Sequence, residues 1–167
     1  MLLTPEYLFA GVERITPEFL HQKGICALAL DVDNTLTSHD SQDLPPQVDA
    51  WLAAMHAAHI RMFIVSNNDE ERVAPFAARL GLDYVSKAAK PLPFGMKRLS
   101  AGFGIAKGQL ALVGDQLFTD RMCGALYGVP VLVVQPLAPE TKTFIKFKRV
   151  LEKPFFRRYY KKGGKLL

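Results

Sequence analysis

The sequence predicts an α/β domain built on a parallel β-sheet with helices on both faces. The chain has 167 residues, 49% of them hydrophobic and 22% charged, which is a globular composition and the length of one domain. Short apolar runs alternate along it with segments of helical periodicity. Strands that are apolar throughout are typical of parallel sheets, because both of their faces are buried.

Five apolar runs predict the strands of this sheet. The first follows Gly24 and is followed directly by acidic and turn-forming residues, and the last is rich in β-branched valine. The five runs are residues 25–30, 61–65, 82–85, 110–113 and 131–134.

Four segments between these runs predict helices. The first begins after Pro45 and Pro46 and repeats apolar residues at offsets of three and four. The second begins near Asn68 and Asp69, which resemble an N-cap region, and stops at Gly81. The third follows a proline and is stopped by glycines, and the fourth precedes a Gly-Val-Pro turn. These last two helices are expected over residues 91–101 and 120–127.

The basic charge of the chain is concentrated at its C-terminal end. Residues 142–167 contain ten Lys and Arg against the single acidic Glu152, whereas the rest contains 15 acidic and 11 basic residues. We therefore expect three parts: an N-terminal segment, 1–24, packing on the core; the α/β domain, 25–136; and a basic aromatic tail, 137–167.

Membrane-spanning and secreted classes are disfavoured. No uncharged apolar stretch reaches the roughly 18 residues that a spanning helix needs, and the N-terminus resembles no signal peptide. Cys26 and Cys123 stand in no metal-ligand spacing. A reducing, cytoplasmic location is predicted, and the basic tail could bring the protein into peripheral contact with a membrane.

Polar residues follow the predicted strands at the points where the strands end. In open parallel sheets the ligand site lies beyond the carboxyl ends of the strands, so these residues are the candidates for chemistry. They are Asp31, Asp33 and Thr35 after the first strand, Ser66 and Asn67 after the second, Lys87 and Lys90 after the third, and Asp115 and Asp120 after the fourth.

Four carboxylates at one edge require a cation. Each pair repels by about 4 kcal/mol at 4 Å for an effective dielectric near 20. Oxygen ligands of this kind are preferred by Mg²⁺, which commonly shares its coordination with substrate phosphate. A serine hydroxyl and a lysine ammonium would add a donor and a positive charge for phosphoryl oxygens. The pattern favours phosphoryl transfer.

Residues 31–37, Asp-Val-Asp-Asn-Thr-Leu-Thr, resemble the DxDxT signature of the haloacid dehalogenase (HAD) superfamily of phosphatases. Ser66 resembles its motif II, Lys90 before Pro91 its motif III, and residues 114–120 the GDxxxxD form of its motif IV. The strongest likeness is to the family IIIA members of the YqeG and phosphatidylglycerophosphate phosphatase type. This resemblance implies a three-layer Rossmann-like fold with a central five-stranded parallel sheet.

The resemblance also implies roles for these residues. Asp31 would be the nucleophile that forms an aspartyl-phosphate, and Asp33 the general acid and then the base. Mg²⁺ would be held by the side chains of Asp31 and Asp115 and the backbone carbonyl of Asp33. Phosphate binding would fall to Ser66, Asn67, Lys90 and Thr35, with Thr35 bracing the loop and Asp120 supporting the metal waters or Lys90.

The spacing leaves no room for the cap domain that many members of the superfamily insert. Asp33 stands 33 residues before Ser66, and Ser66 stands 24 before Lys90, lengths filled by one helix and one strand each. An uncapped site would admit bulky or surface-held substrates, such as a lipid head group.

The predicted function is an Mg²⁺-dependent phosphatase of phosphatidylglycerophosphate, an anionic phospholipid, held at the membrane by residues 142–167. Two alternatives stay open: a phosphatase of a soluble sugar phosphate or nucleotide, and a non-catalytic RNA- or ribosome-binding protein using the basic tail. The tail could also be solvated or cover the sheet.

Several residues also have a purely structural interpretation. Asp31 and Asp33 could form a turn, Ser66 and Asn67 could end a strand, and Asp120 could be an N-cap. Lys87 competes with Lys90 for the motif III position. His56 and His59 could ligate a metal but are more simply exposed helical residues. The role of His39 is unassigned.

Overall fold

The fold is a three-layer α/β structure around a six-stranded parallel sheet. A computed structural model of the chain describes residues 2–39 and 41–167. The strands lie in the order β1-β6-β5-β2-β3-β4, and all neighbouring pairs are parallel. They are β1 Tyr7–Phe9, β2 Ala27–Leu30, β3 Arg61–Val65, β4 Asp83–Val85, β5 Leu110–Gly114 and β6 Val131–Val134.

The predicted count of five strands was wrong by one. The additional strand, β1, comes from the N-terminal segment and pairs with β6, Tyr7 lying opposite Leu132. Three residues are too few to show a strand periodicity, so the sequence indicated apolar residues packing on the core without showing that they extend the sheet.

In residues 2–39 and 41–167, six α-helices cover the sheet. Helix α3 stops at Gly81 as predicted, whereas α4 runs to Phe103, two residues beyond its predicted end, and stops at Gly104. Both glycines adopt the left-handed conformation, with φ of 65° and 64°. Helix α4 begins three residues later than predicted, and a π-helical turn, Leu117–Arg121, precedes α5. The helices are α1 Pro17–Gln22, α2 Pro46–Ala57, α3 Glu70–Leu80, α4 Phe94–Phe103, α5 Met122–Tyr127 and α6 Thr143–Lys161.

A buried apolar layer lies on each face of the sheet. In β2, Leu28 and Leu30 pack into one layer, and Ala27 and Ala29 pack into the other. Because successive side chains of a strand alternate between faces, a run that is apolar at every position is buried on both. Because each strand is packed on both faces, the positions of the polar residues that follow the strands are fixed as well.

The basic tail is mostly helix α6, which docks on the domain. Its inner face carries Tyr159, which is buried in one of the two apolar layers, and Glu152, whose side chain accepts a hydrogen bond from the Leu117 amide at 2.7 Å. Beyond the helix, Leu166 pairs with Leu8 of β1. The inner face of α6 therefore matches the alternative in which the tail covers the sheet.

Helix α6 was not predicted from the sequence. Pro154 lies inside it, and prolines within a helix interior are disfavoured because they lack an amide hydrogen. None of the helices in residues 2–39 and 41–167 combines the length and the apolar character that crossing a bilayer requires.

Replacing Glu152 with alanine should lower the free energy of unfolding by about 1–3 kcal/mol, because the buried Leu117 amide would lose its acceptor. Urea denaturation would measure the change. Lys153→Ala, at the exposed neighbouring position, is the matched control and should change stability by less than about 0.5 kcal/mol. Equal stability of Glu152→Ala and the wild type would contradict the docking of α6 through this residue.

Candidate active site

Three carboxylates meet at the carboxyl ends of β2 and β5. Asp31 directly follows β2, Asp115 directly follows β5, and Asp120 lies in the π-helical turn after it. One carboxylate oxygen from each lies within 4.8 Å of the others, and all three side chains are buried. Of the four acidic residues predicted at the first and fourth strand ends, the structure thus brings three together, and we call these three the acidic triad.

Gly114 allows the triad to form. A Cβ atom at this position would overlap the carboxylate of Asp120, so any side chain would displace it. The glycine of the GDxxxxD motif is explained by this close approach.

Lys90 holds two members of the triad. Its Nζ lies 2.6 Å from Oδ1 of Asp31 and 2.7 Å from Oδ1 of Asp120, in a buried position. Its alternative, Lys87, is exposed and pairs with Asp69 at 3.5 Å. Of the two lysines, the structure places Lys90 at the triad.

Asn67 and Ala89 position Lys90. The side-chain amide of Asn67 donates to the backbone carbonyl of Lys90 at 2.8 Å and accepts from its amide at 2.7 Å. Ala89 adopts a positive φ of 59°, a strained conformation for alanine that directs the chain into the site. Asn67, predicted to bind phosphate, thus uses its side chain to clamp the Lys90 backbone.

The triad favours a bound cation. Burial raises the pKa of Asp31 to about 7, with the charge of Asp120 adding to it and Lys90 opposing it. Burial also raises the pKa of Asp115 well above its usual value, although Arg149 opposes the shift. Buried carboxylates that are costly to ionise become favourable ligands when a cation joins them. Three oxygen donors of this kind fit a hard divalent ion.

Asp33 lies in a different environment. Its carboxylate accepts hydrogen bonds from Asn68 at 2.5 Å and from Arg72 at 2.9 Å, and a ring nitrogen of His39 is 3.8 Å away. Burial raises the pKa of Asp33, but the hydrogen bonds from Asn68 and Arg72 outweigh it and the net shift is downward. Two carboxylates with opposite shifts are suited to different chemical roles.

Ser66 lines the site, and Thr35 lies beneath it against the carboxylates. The Ser66 hydroxyl is buried and accepts from the Asn68 amide at 3.1 Å, so its hydrogen can be donated elsewhere. Thr35 lies 3.4 Å from both Asp31 and Asp115, where its hydroxyl braces the two carboxylates. Thr35 was predicted to bind phosphate and brace the loop, and its described contacts are with the carboxylates.

Arg149 is a site residue that was not predicted from the sequence. Its guanidinium binds the side chain and, at 2.6 Å, the backbone carbonyl of Asp115, and it also binds Glu140 at 2.8 Å and Glu152 at 3.1 Å. A signal was present: Glu152 is the single acidic residue among residues 142–167 and stands three positions after Arg149.

His39 had no assigned role, and the structure places it between two carboxylates. Its ring nitrogens lie 3.8 Å from Asp33 and 3.7 Å from Glu140. His56 and His59 instead border a separate surface cavity beside β3, and they are not part of the acidic triad.

Asp31 and Asp33 open into a cavity of about 300 Å³. Its floor includes Asp31, Asp33, Ser66 and Lys90. Its outer wall comes from the start of α6 and the residue before it: Lys142, Phe144, Ile145 and Lys148. The segment from Asp33 to Ser66 and the segment from Ser66 to Lys90 contain one helix and one strand each, as predicted. Helix α6 forms a wall of the cavity in the place where a cap domain would otherwise cover it.

Comparison with known proteins identifies relatives. The family described as mitochondrial PGP phosphatase matches residues 1–138. The probable phosphatase YqeG of Bacillus subtilis (strain 168) is 31% identical over 159 residues, covering 95% of this chain and 92% of that protein. Phosphatidylglycerophosphate phosphatase 1, chloroplastic/mitochondrial, of Arabidopsis thaliana is 26% identical over 158 residues, covering 89% of this chain and 45% of that protein.

A solved structure shares the fold. The crystal structure of a protein from Streptomyces avermitilis MA-4680, assigned to the HAD family of hydrolases, aligns with a TM-score of 0.53 and 25% identity. The alignment covers 71% of this chain and 74% of that one. The fold expected from the DxDxT resemblance is confirmed, apart from the strand count.

Magnesium should stabilise the protein through the triad. At 100 times its dissociation constant the ion would add about 2.7 kcal/mol, which for a chain of this size raises the unfolding midpoint by about 5–10 °C. Asp115→Asn should remove most of this increase, as measured by thermal denaturation with magnesium and with EDTA. Asp69→Asn, at an exposed position, is the control and should keep it. An undiminished increase in Asp115→Asn would place the ion elsewhere.

Proposed function

Because the chain belongs to the mitochondrial PGP phosphatase family, and is thus a phosphatase of the HAD type, we propose that it hydrolyses phosphatidylglycerophosphate at a membrane surface. The name of the Arabidopsis relative supports this substrate. The observation that carries the proposal is that Phe144 belongs both to the wall of the Asp31 cavity and to an exposed apolar strip on α6.

The first chemical step is assigned to Asp31. Its carboxylate oxygen attacks phosphorus, the bond to the leaving oxygen breaks, and Asp31 becomes an aspartyl-phosphate. Asp33 gives its proton to the departing alkoxide. The hydrogen bonds of Asn68 and Arg72 favour the ionised form of Asp33, and the negative charge of an incoming phosphate favours its protonation.

Water then releases the phosphate. Asp33, ionised after its proton transfer, accepts a proton from water as the water oxygen attacks the aspartyl-phosphate, and the phosphorus–Asp31 bond breaks. Lys90 and the Ser66 hydroxyl hold the phosphoryl oxygens in both steps. Asp31 and Asp115 would hold Mg²⁺ together with the backbone carbonyl of Asp33, and Asp120 supports them as the third carboxylate of the triad. When bound, the ion offsets the charge of nucleophile and phosphate.

The substrate proposal depends on the outer face of α6. Phe144 is 69% exposed and Phe147 is 60% exposed, and Val150 and Leu151 continue the same strip. Exposed aromatic and aliphatic residues on one helix face are typical of helices that lie in a bilayer interface.

Basic residues border the strip. Lys146, Lys153 and Arg157 are exposed along one side of it. Each Lys or Arg near an anionic leaflet contributes about 1 kcal/mol of attraction. A helix seated this way would bring the cavity to the lipid head groups, and the acyl chains would stay in the bilayer because about 300 Å³ accommodates a head group only.

The wild-type enzyme should release phosphate from phosphatidylglycerophosphate in mixed vesicles with a higher kcat/KM than from glucose 6-phosphate or AMP. Asp31→Asn should lower kcat at least about 10³-fold on the lipid, because an amide cannot act as the nucleophile. Released phosphate is the measurement, and Asp69→Asn should retain wild-type activity. Full turnover by Asp31→Asn would refute the mechanism, and preference for a soluble ester would refute the lipid substrate.

Vesicle binding should depend on the strip. Leu151→Glu should weaken binding to phosphatidylglycerol vesicles about tenfold or more, because an apolar contact worth about 1.5–3 kcal/mol is replaced by a charge that anionic lipid repels. Leu126→Glu is a matched control, since Leu126 on α5 is 44% exposed and Leu151 is 45% exposed. Flotation on a density gradient measures the binding. Equal losses in both variants, or binding to RNA without binding to vesicles, would contradict this surface.

A further inference from the structure

The start of α6 places a lysine in the wall of the active-site cavity, and the proposed chemistry has not used it. We propose that Lys148 binds a second anionic group on the leaving alcohol, so that the site selects phosphomonoesters that carry a nearby phosphodiester or similar anion. This inference rests on the proposed phosphatase chemistry at Asp31 and adds a specificity-determining residue to it.

Lys90 is already paired with two carboxylates of the acidic triad. Its ammonium lies between Asp31 and Asp120 at 2.6 and 2.7 Å, so its charge is balanced within the floor of the site. Any further anion on the substrate must therefore meet a different cation.

Lys148 has the charge and the position for this contact. Its side chain lines the cavity that contains Asp31 and Asp33, and its ammonium lies 4.8 Å from the centre of the Phe144 ring. Among residues 2–39 and 41–167, no carboxylate forms an ion pair with it. An aromatic ring orients an ammonium group without neutralising its charge, so the cation is kept for a ligand.

Arg149, the next residue, fixes the rotation of the helix. Its guanidinium is bound to Asp115, Glu140 and Glu152, which anchors this turn of α6 against the domain. Successive helical residues are about 100° apart, so anchoring Arg149 sets the direction of Lys148. Arg149 thus anchors the helix, and Lys148 is left facing the cavity.

The position of the wall suits the leaving group. Phosphoryl transfer places the attacking and leaving oxygens on opposite sides of phosphorus, so an alcohol displaced by Asp31 on the floor extends away from the floor. Lys148 meets that part of the substrate together with Phe144 and Ile145, which offer apolar contact to its carbon atoms. In phosphatidylglycerophosphate, the leaving alcohol carries a phosphodiester.

Two soluble esters test the inference without a membrane. One is glycerol 3-phosphate, and the other is the same monoester with a methyl phosphodiester on its other terminal carbon, which is the lipid head group without acyl chains. The wild type should prefer the ester with the added phosphodiester at least about tenfold in kcat/KM at low salt, and added salt should reduce this preference.

Lys148→Gln should bring the preference close to one, and Lys148→Arg should restore most of it because the charge returns. Lys161→Gln removes the same charge from an exposed position of α6 outside the cavity and should leave the preference intact. Calorimetric binding of both esters to Asp31→Asn, with and without Lys148→Gln, reports the same preference in the absence of turnover.

The outcomes separate this inference from the proposed function. A preference that survives in Lys148→Gln, or a wild type without any preference, overturns the role of Lys148 even if the lipid is hydrolysed. A preference that depends on Lys148 supports the role even if vesicle-borne phosphatidylglycerophosphate is not hydrolysed, in which case the lipid substrate alone is wrong.

Discussion

The mutual repulsion of carboxylates buried at one sheet edge is the constraint on which this structure depends. Asp31, Asp115 and Asp120 lie within 4.8 Å of one another in a buried position. Ionised carboxylates that close, away from water, need cations fixed beside them to offset their repulsion. Lys90 fills this role from the third strand end and Arg149 fills it from α6.

This electrostatic requirement connects the C-terminal helix to catalysis. Arg149 binds Asp115 with one part of its guanidinium and Glu140 and Glu152 with others, while Glu152 accepts from the Leu117 amide. The same contacts that dock α6 therefore orient a carboxylate of the triad. The basic region of the chain, which the charge distribution predicted as a separate tail, belongs to the site through its inner face.

Helix α6 also reconciles two demands on the site. A phosphatase needs a site from which bulk water is partly excluded, whereas a lipid substrate needs access from a surface. The helix has one face toward the cavity and the opposite face exposed, with Phe144 at the border of both. One helix can thus wall the site and, under the proposed function, present it to a bilayer.

The sequence by itself determined the strand-and-helix alternation and the acidic and basic residues at the strand ends, because continuous apolar runs and the residues that follow them are local features. Residues 61–65 and 131–134 form the predicted strands without any shift. Only the tertiary structure decided that Tyr7–Phe9 extends the sheet, that Asn67 clamps Lys90, and that Arg149 reaches Asp115. Each of these depends on residues far apart in the chain, and their pairing is set by the packing of whole elements rather than by any local pattern.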